Sequence, residues 1–162
     1  MAHLTEAERF WSHVVRGPSA RDCWFWVGAI SDDGYGRFWV RRNGSQRAVR
    51  PHHYAYELAH GIVLDRGTLL EHSCDAPLCV KALVDPELSH LAPGTQRSNM
   101  IDRTRKGRHE NAATTLRLRG TSRKVLAERS RALRTLLLTE GWNADAIAAI
   151  LAGVEASHPR LF

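Results

Sequence analysis

Leu70-Glu71-His72-Ser73-Cys74-Asp75-Ala76-Pro77-Leu78-Cys79-Val80, followed by Ser89-His90-Leu91 and by Gly94-Thr95-Gln96-Arg97-Ser98-Asn99, is the stretch on which the fold of this chain turns. A short strand ends at Glu71-His72. A loop from Ser73 to Glu87 holds Cys74, Pro77, Cys79 and Pro86. A second short strand, Leu88 to Leu91, leads through Pro93-Gly94 into a helix that Thr95 caps and that ends near Gly107. The product is strand, loop, strand, helix.

Cys74 and Cys79 have four residues between them, a separation at which one loop places two thiolates on a single zinc ion. His90 follows in the second strand, and Cys23 lies upstream at the opening of an earlier β segment. Three cysteines and one histidine complete a tetrahedral structural site, and the chain has only these 3 cysteines. The competing reading makes one or more of them small buried hydrophobes. Cys74 and Cys79 carry the most weight; Cys23 has only its distant position to argue for it. Such a site contributes on the order of 10 kcal/mol to folding and holds a loop without a core of its own.

His72 and Asn99 form a second constellation. A phosphodiester resists attack because its anionic oxygens repel a nucleophile and its alkoxide leaves poorly. Hydrolysis needs a base for water and a cation for the developing charge. His72, at a strand end, has an ordinary pKa near neutrality. Asn99, one turn into the basic helix, offers an amide oxygen suited to Mg²⁺. Taken alone, each residue reads equally as a hydrogen-bonded surface side chain.

Upstream, Thr5-Glu6-Ala7-Glu8 has the form of a capping box, with Phe10, Trp11 and Val14 as one apolar helix face. Cys23 to Val27 and Tyr35 to Val40 have strand composition, and Asn43-Gly44 is hairpin turn chemistry. Tyr54 to His60 reads as a helix closed by Gly61. Downstream, His109 begins a linker. Ser122 to Glu140 has leucines at helical spacing, Gly141 breaks it, and Asn143 caps a second helix through Leu151. Two helices after a basic segment resemble part of a helix-turn-helix; packing or dimerisation is the alternative.

The composition fits this organisation. Of 162 residues, 43% are hydrophobic and 25% charged, enough for a packed core and unlike a disordered chain. Net charge is +6, and between Arg97 and Arg134 twelve Lys/Arg face three acids, so a polyanion, most often nucleic acid, is the expected partner. A solubilising helix face is the plain alternative. No apolar run approaches a membrane span and no apolar leader precedes Phe10, so a soluble, cytoplasmic protein without a membrane partner is expected. Three cysteines cannot close a disulfide set.

The run from Leu70 to Asn99 resembles the HNH endonucleases, also called His-Me finger or ββα-metal nucleases. It is most similar to the phage-type branch and to the His-Cys box homing endonucleases. Cys23-Trp24-Phe25-Trp26-Val27-Gly28, Gly34-Tyr35-Gly36 and His52-His53-Tyr54-Ala55-Tyr56-Glu57-Leu58 also resemble that branch, and the likeness spans about Trp11 to Gly107. It implies an α+β fold, a zinc-stapled ββα-metal nuclease core with an N-terminal β-ribbon region, taken over residues 1–108; the spacing beyond it makes 109–162 a basic linker and helical extension. It implies that His72 activates water and that Asn99 holds a single divalent ion, Mg²⁺ or Mn²⁺. Cys23, Cys74, Cys79 and His90 would hold a structural Zn²⁺. The implied product carries a 5′-phosphate and a 3′-hydroxyl.

Three features depart from the family pattern. Val80 to Ser89 replaces a shorter Asn-Pro connection. Glu71 stands where many members have an aspartate ligand to the catalytic metal, and either reaches the metal through its longer side chain or leaves Asn99 as the sole protein ligand. His52-His53 stands where relatives often have His-Arg, leaving Arg37, Arg47 and Arg50 as candidates for the phosphate-stabilising arginine. Arg41, Arg42, Arg47 and Arg50 surround the Asn43-Gly44 turn as a ribbon for double-stranded DNA, while Arg97, Arg103, Arg105, Lys106 and Arg108 accompany Asn99 toward phosphates. Solvated charge around a turn is the bland alternative for the ribbon. A double-strand break needs two sites, most simply a two-fold homodimer. A catalytically silent zinc-containing DNA-binding regulator and an RNA nuclease are the rival functions, and a bacterial or phage-infected cell is the expected setting.

Overall fold

In the computed structural model, residues 4–95, 97, 98, 101 and 112–153 are described, with the backbone alone over 112–122. The chain is mixed α+β. It opens on helix α1 (Glu6–Trp11), where Thr5 accepts from the Glu8 amide and the Glu8 carboxylate accepts from the Thr5 amide in the expected capping box. Val14 is not on this helix. It begins strand β1 (Val14–Arg16), which pairs antiparallel with β2 (Trp24–Trp26).

Strands β3 (Phe38–Arg42) and β4 (Ser45–Val49) form the expected hairpin. Asn43 and Gly44, at φ +52° and +78°, supply the left-handed pair that a two-residue turn requires. Helix α2 (Pro51–His60) starts three residues before the expected Tyr54, because Pro51 occupies the first turn, where its missing N–H costs nothing. Gly61, at φ +64°, ends it as expected.

Strand β5 (Leu69–His72) pairs antiparallel with β6 (Leu91–Gly94), His72 opposite Leu91 and Leu70 opposite Pro93. The second strand therefore lies three residues later than the sequence suggests. Pro93-Gly94 continues it instead of turning into the helix, since a two-stranded sheet leaves one edge of each strand unpaired and tolerates proline. Thr95 does act as a cap, its hydroxyl accepting from the Ser98 amide at 3.0 Å. The end of that helix near Gly107 lies outside the described residues.

Helix α3 (Ala112–Thr139) starts where a linker was expected and carries Gly120 without breaking. Gly141 turns the chain at φ +77°, and Asn143 caps α4 (Ala144–Ala152) by accepting from the Ala146 amide at 3.0 Å.

Phe10 sits in the core, stacked with Trp26 at 5.4 Å and against Phe38 and Tyr54 at 5.3 and 4.7 Å. The same core includes Leu78, Cys79, Val80 and Leu91 around the β5–β6 loop and Leu133, Leu137 and Ile147 from α3 and α4. Trp142 stacks on Phe25 at 5.7 Å, and the Arg134 guanidinium donates to the Val27 and Gly28 carbonyls. Leu133, Leu137 and Ile147 of the last two helices are thus buried within the chain, while Leu136, Ile150 and Leu151 are half-buried against the same core.

Candidate metal centre

The loop after β5 is built against β2. The Trp26 amide donates to the Leu78 carbonyl at 2.8 Å, the Val80 amide to the Trp24 carbonyl at 2.7 Å, and Phe25 bridges to Cys79. This short antiparallel run carries Cys79 beside Cys23. The His90 amide donates to the Lys81 carbonyl at 2.9 Å, which brings in the fourth side chain.

The ligand atoms of Cys23, Cys74, Cys79 and His90 lie within 4.8 Å of one another. His90 Nδ1 is 3.4 Å from Cys23 Sγ and 3.5 Å from Cys79 Sγ. With Zn–S near 2.3 Å and Zn–N near 2.0 Å, tetrahedral angles place sulfur and nitrogen about 3.5 Å apart. The cluster therefore fits a zinc ion, with Nδ1 as the nitrogen donor. Among the described residues no other group of three or more His, Cys, Asp and Glu side chains has this arrangement.

The thiols are already polarised. Cys74 accepts from the Cys23 and Cys79 thiols, which brings its pKa down to about 2. The same contact pushes Cys23 up to about 12, and burial pushes Cys79 well up. A divalent cation binds thiolates, so loading this cluster with zinc releases thiol protons.

His72 ends β5 next to this cluster. Its Nε2 lies 3.0 Å from the Cys79 carbonyl oxygen. A carbonyl can only accept, so Nε2 carries the proton and Nδ1 presents the lone pair. Burial lowers the pKa of His72 below the ordinary 6.5, against the pull of Cys74 and of that carbonyl, and favours the neutral ring. His52 packs edge-on against it at 4.9 Å, and Tyr35 lies 6.5 Å away. Tyr35 in turn carries the Arg50 guanidinium 4.6 Å above its ring. Arg50 Nη2 donates to Asp33 at 2.7 Å, while its buried Nη1 has no hydrogen-bond partner among the described residues.

Glu71 Oε1 accepts from Ser98 Oγ at 2.6 Å, tying β5 to the start of the following helix. Asn99 lies outside the described residues, as do Arg103, Arg105, Lys106 and Arg108. Arg97 is exposed. On the hairpin Arg37, Arg41 and Arg47 are exposed, whereas Arg42 is bound to Glu6 at 2.8 Å.

Protein 7.7 of Escherichia phage T7 is 38% identical over 112 residues, which span 69% of this chain and 77% of that protein. The chain belongs to the protein 7.7 family. Protein 2.8 of the same phage is also similar, 36% identical over 86 residues, 53% of this chain and 52% of its own length. The chain thus spans about half of protein 2.8 and most of protein 7.7. No family model matches, and no solved structure matches significantly. Among the described residues no helix is long and apolar enough to cross a membrane.

In this member of the protein 7.7 family the structure brings together all four side chains that sequence assigned to zinc, and sets His72 at their edge. His52 and Tyr35 entered the sequence reading only as part of the family resemblance, without a role, and Lys81 was not singled out. Lys81 carried a signal: a lone charge inside Leu78-Cys79-Val80-Lys81-Ala82, a run otherwise fit only for burial.

Proposed function

We propose that the chain is a metal-dependent endonuclease of the HNH kind, hydrolysing phosphodiester bonds of double-stranded DNA to leave a 5′-phosphate and a 3′-hydroxyl. The observation that supports it most is the setting of His72. Its Nε2 is committed to the Cys79 carbonyl, on a loop fixed by the Cys₃His cluster, so Nδ1 is oriented as a base by the metal-binding fold itself. A module that only binds DNA has no use for that arrangement.

In this reading His72 Nδ1 takes the proton from the attacking water. Of the three candidate arginines, Arg50 is best placed to hold a phosphate oxygen. It is anchored by Asp33 and lies over Tyr35, whose ring is 6.5 Å from His72. Arg37 leans over Trp39 at 6.0 Å, and Arg47 is exposed on β4. Glu71 and Asn99 are the oxygen donors that would hold Mg²⁺, which when bound neutralises charge developing on the phosphate and leaving oxygen. Arg37, Arg41 and Arg47, with Trp39 exposed at 47% beside them, make the hairpin a surface for the DNA backbone. The similarity to phage proteins supports a phage-infected bacterial cell as its setting.

Supercoiled plasmid incubated with Mg²⁺ tests the proposal. The wild-type chain should nick or linearise it. His72→Ala should lower the rate by roughly 10²–10⁴-fold, the usual worth of a positioned base, with DNA affinity nearly intact. Binding without cleavage in the wild type would replace the nuclease by a silent DNA-binding zinc module. Cleavage confined to RNA substrates would move the same chemistry to another polymer.

A further inference from the structure

Lys81 is 1% exposed, and no carboxylate hydrogen-bonds or ion-pairs with it among the described residues. Its Nζ donates to the carbonyls of Ala20 and Asp22, at 2.5 and 2.9 Å. Those carbonyls belong to the turn that delivers Cys23. Its backbone lies two residues past Cys79, and its own carbonyl accepts the His90 amide. One residue is therefore tied to the segments of three of the four metal-site side chains.

A buried ammonium facing only carbonyl oxygens retains an uncompensated charge, which is costly unless an opposite charge lies close by. The metal cluster has the complementary defect. One divalent cation, three thiolates and one neutral imidazole sum to a net charge of −1, in a partly buried site. We propose that Lys81 is the built-in counter-charge of the zinc–thiolate centre, so that the loaded cluster and the lysine together are neutral. Lys81 touches no metal; it is a positioning residue. Its two carbonyl contacts hold the Cys23 turn, and its charge offsets the net −1 of the loaded cluster. A lysine that merely tied down the turn would support loaded and metal-free protein alike. A counter-charge supports the loaded form more.

This inference rests on reading the four side chains as a zinc site, and the two can fail separately. Wild-type protein that binds no zinc defeats the underlying reading. Given a zinc-binding wild type, the test compares Lys81→Met, Lys81→Gln and Lys81→Arg in the full chain. Zinc affinity is read by competition with a chromophoric chelator, and the sulfur-to-metal charge-transfer bands are read after Co²⁺ substitution.

Both neutral variants should bind zinc at least tenfold more weakly, and Lys81→Arg within about threefold of wild type. The urea midpoint of the loaded protein should fall further than that of the metal-free protein. Wild-type affinity in Lys81→Gln, or equal falls in both midpoints, would overturn the assignment. If neither neutral variant folds without metal, zinc-driven refolding is followed by circular dichroism. Refolding at wild-type zinc concentrations overturns the assignment, and a requirement for at least tenfold more zinc supports it.

Discussion

His52 is buried against His72 and His53, with Tyr35 beside it and Arg50 acting on it from the start of the same helix. Burial, then the neighbouring charges of His72, His53 and Arg50, holds its pKa well below 6.5. Its Nδ1 has no hydrogen-bond partner among the described residues, so nothing there rewards protonation. The sign is set by linkage. In the unfolded chain His52 takes up a proton as pH falls through about 6.5, while the folded chain refuses it, so the unfolded state is favoured. Its contribution is complete above that pH and is lost below it, at up to about 1.4 kcal/mol per pH unit until the folded value is reached. Urea midpoints at pH 7.5 and 5.5 should therefore fall less in His52→Phe than in wild type. The comparison cancels the acid sensitivity of the zinc site, which both proteins share. Parallel falls would show that His52 does not drive the loss.

The elements show where sequence was legible and where it was not. Local chemistry was transparent: the capping box at Thr5, the Asn43-Gly44 turn and the Asn143 cap all involve partners within four residues. The Cys74 and Cys79 pair was equally plain, because one loop carries both. Cys23 had only its distant position and the family resemblance to argue for it. Its union with Cys79 comes from the pairing of β2 with Leu78–Val80, a contact across more than fifty residues that no local pattern encodes. Pro93-Gly94 misled for the opposite reason, since strong turn chemistry lost to pairing with β5. Gly34 allows a measurement at this scale. It has φ +84°, and a Cβ there would come within 2.9 Å of the α3 backbone at Leu126. Gly44 has nearly the same φ, +78°, but open space around it. Gly44→Ala should cost about 1 kcal/mol of backbone strain. Gly34→Ala should cost clearly more, on the order of 2–4 kcal/mol, because backbone cannot give way as a side chain does. Equal costs by chemical denaturation would mean that α3 does not press on the hairpin region.

At the scale of the whole molecule, the last two helices change meaning. Sequence presents them as an extension for dimerisation or DNA contact, after a nuclease core that stands by itself. Yet Leu133, Leu137 and Ile147 are 1%, 4% and 5% exposed, and they belong to the same cluster as Phe10, Trp26 and Cys79. Trp142 covers Phe25, the residue that bridges to Cys79, and Arg134 binds the backbone that leaves β2. Full burial of three aliphatic side chains is worth about 1.5–3 kcal/mol each, comparable with the total stability of an ordinary domain. The path from these helices to the metal site is short: α4 turn, Phe25, Cys79. A chain ending at residue 122 should therefore lose cooperative unfolding in zinc-free buffer and bind zinc more weakly than wild type. The milder Trp142→Ala should keep the fold, lower the urea midpoint, and weaken zinc binding by only a few-fold. A truncated chain with wild-type zinc affinity and a sharp urea transition would restore the view of these helices as an appendage.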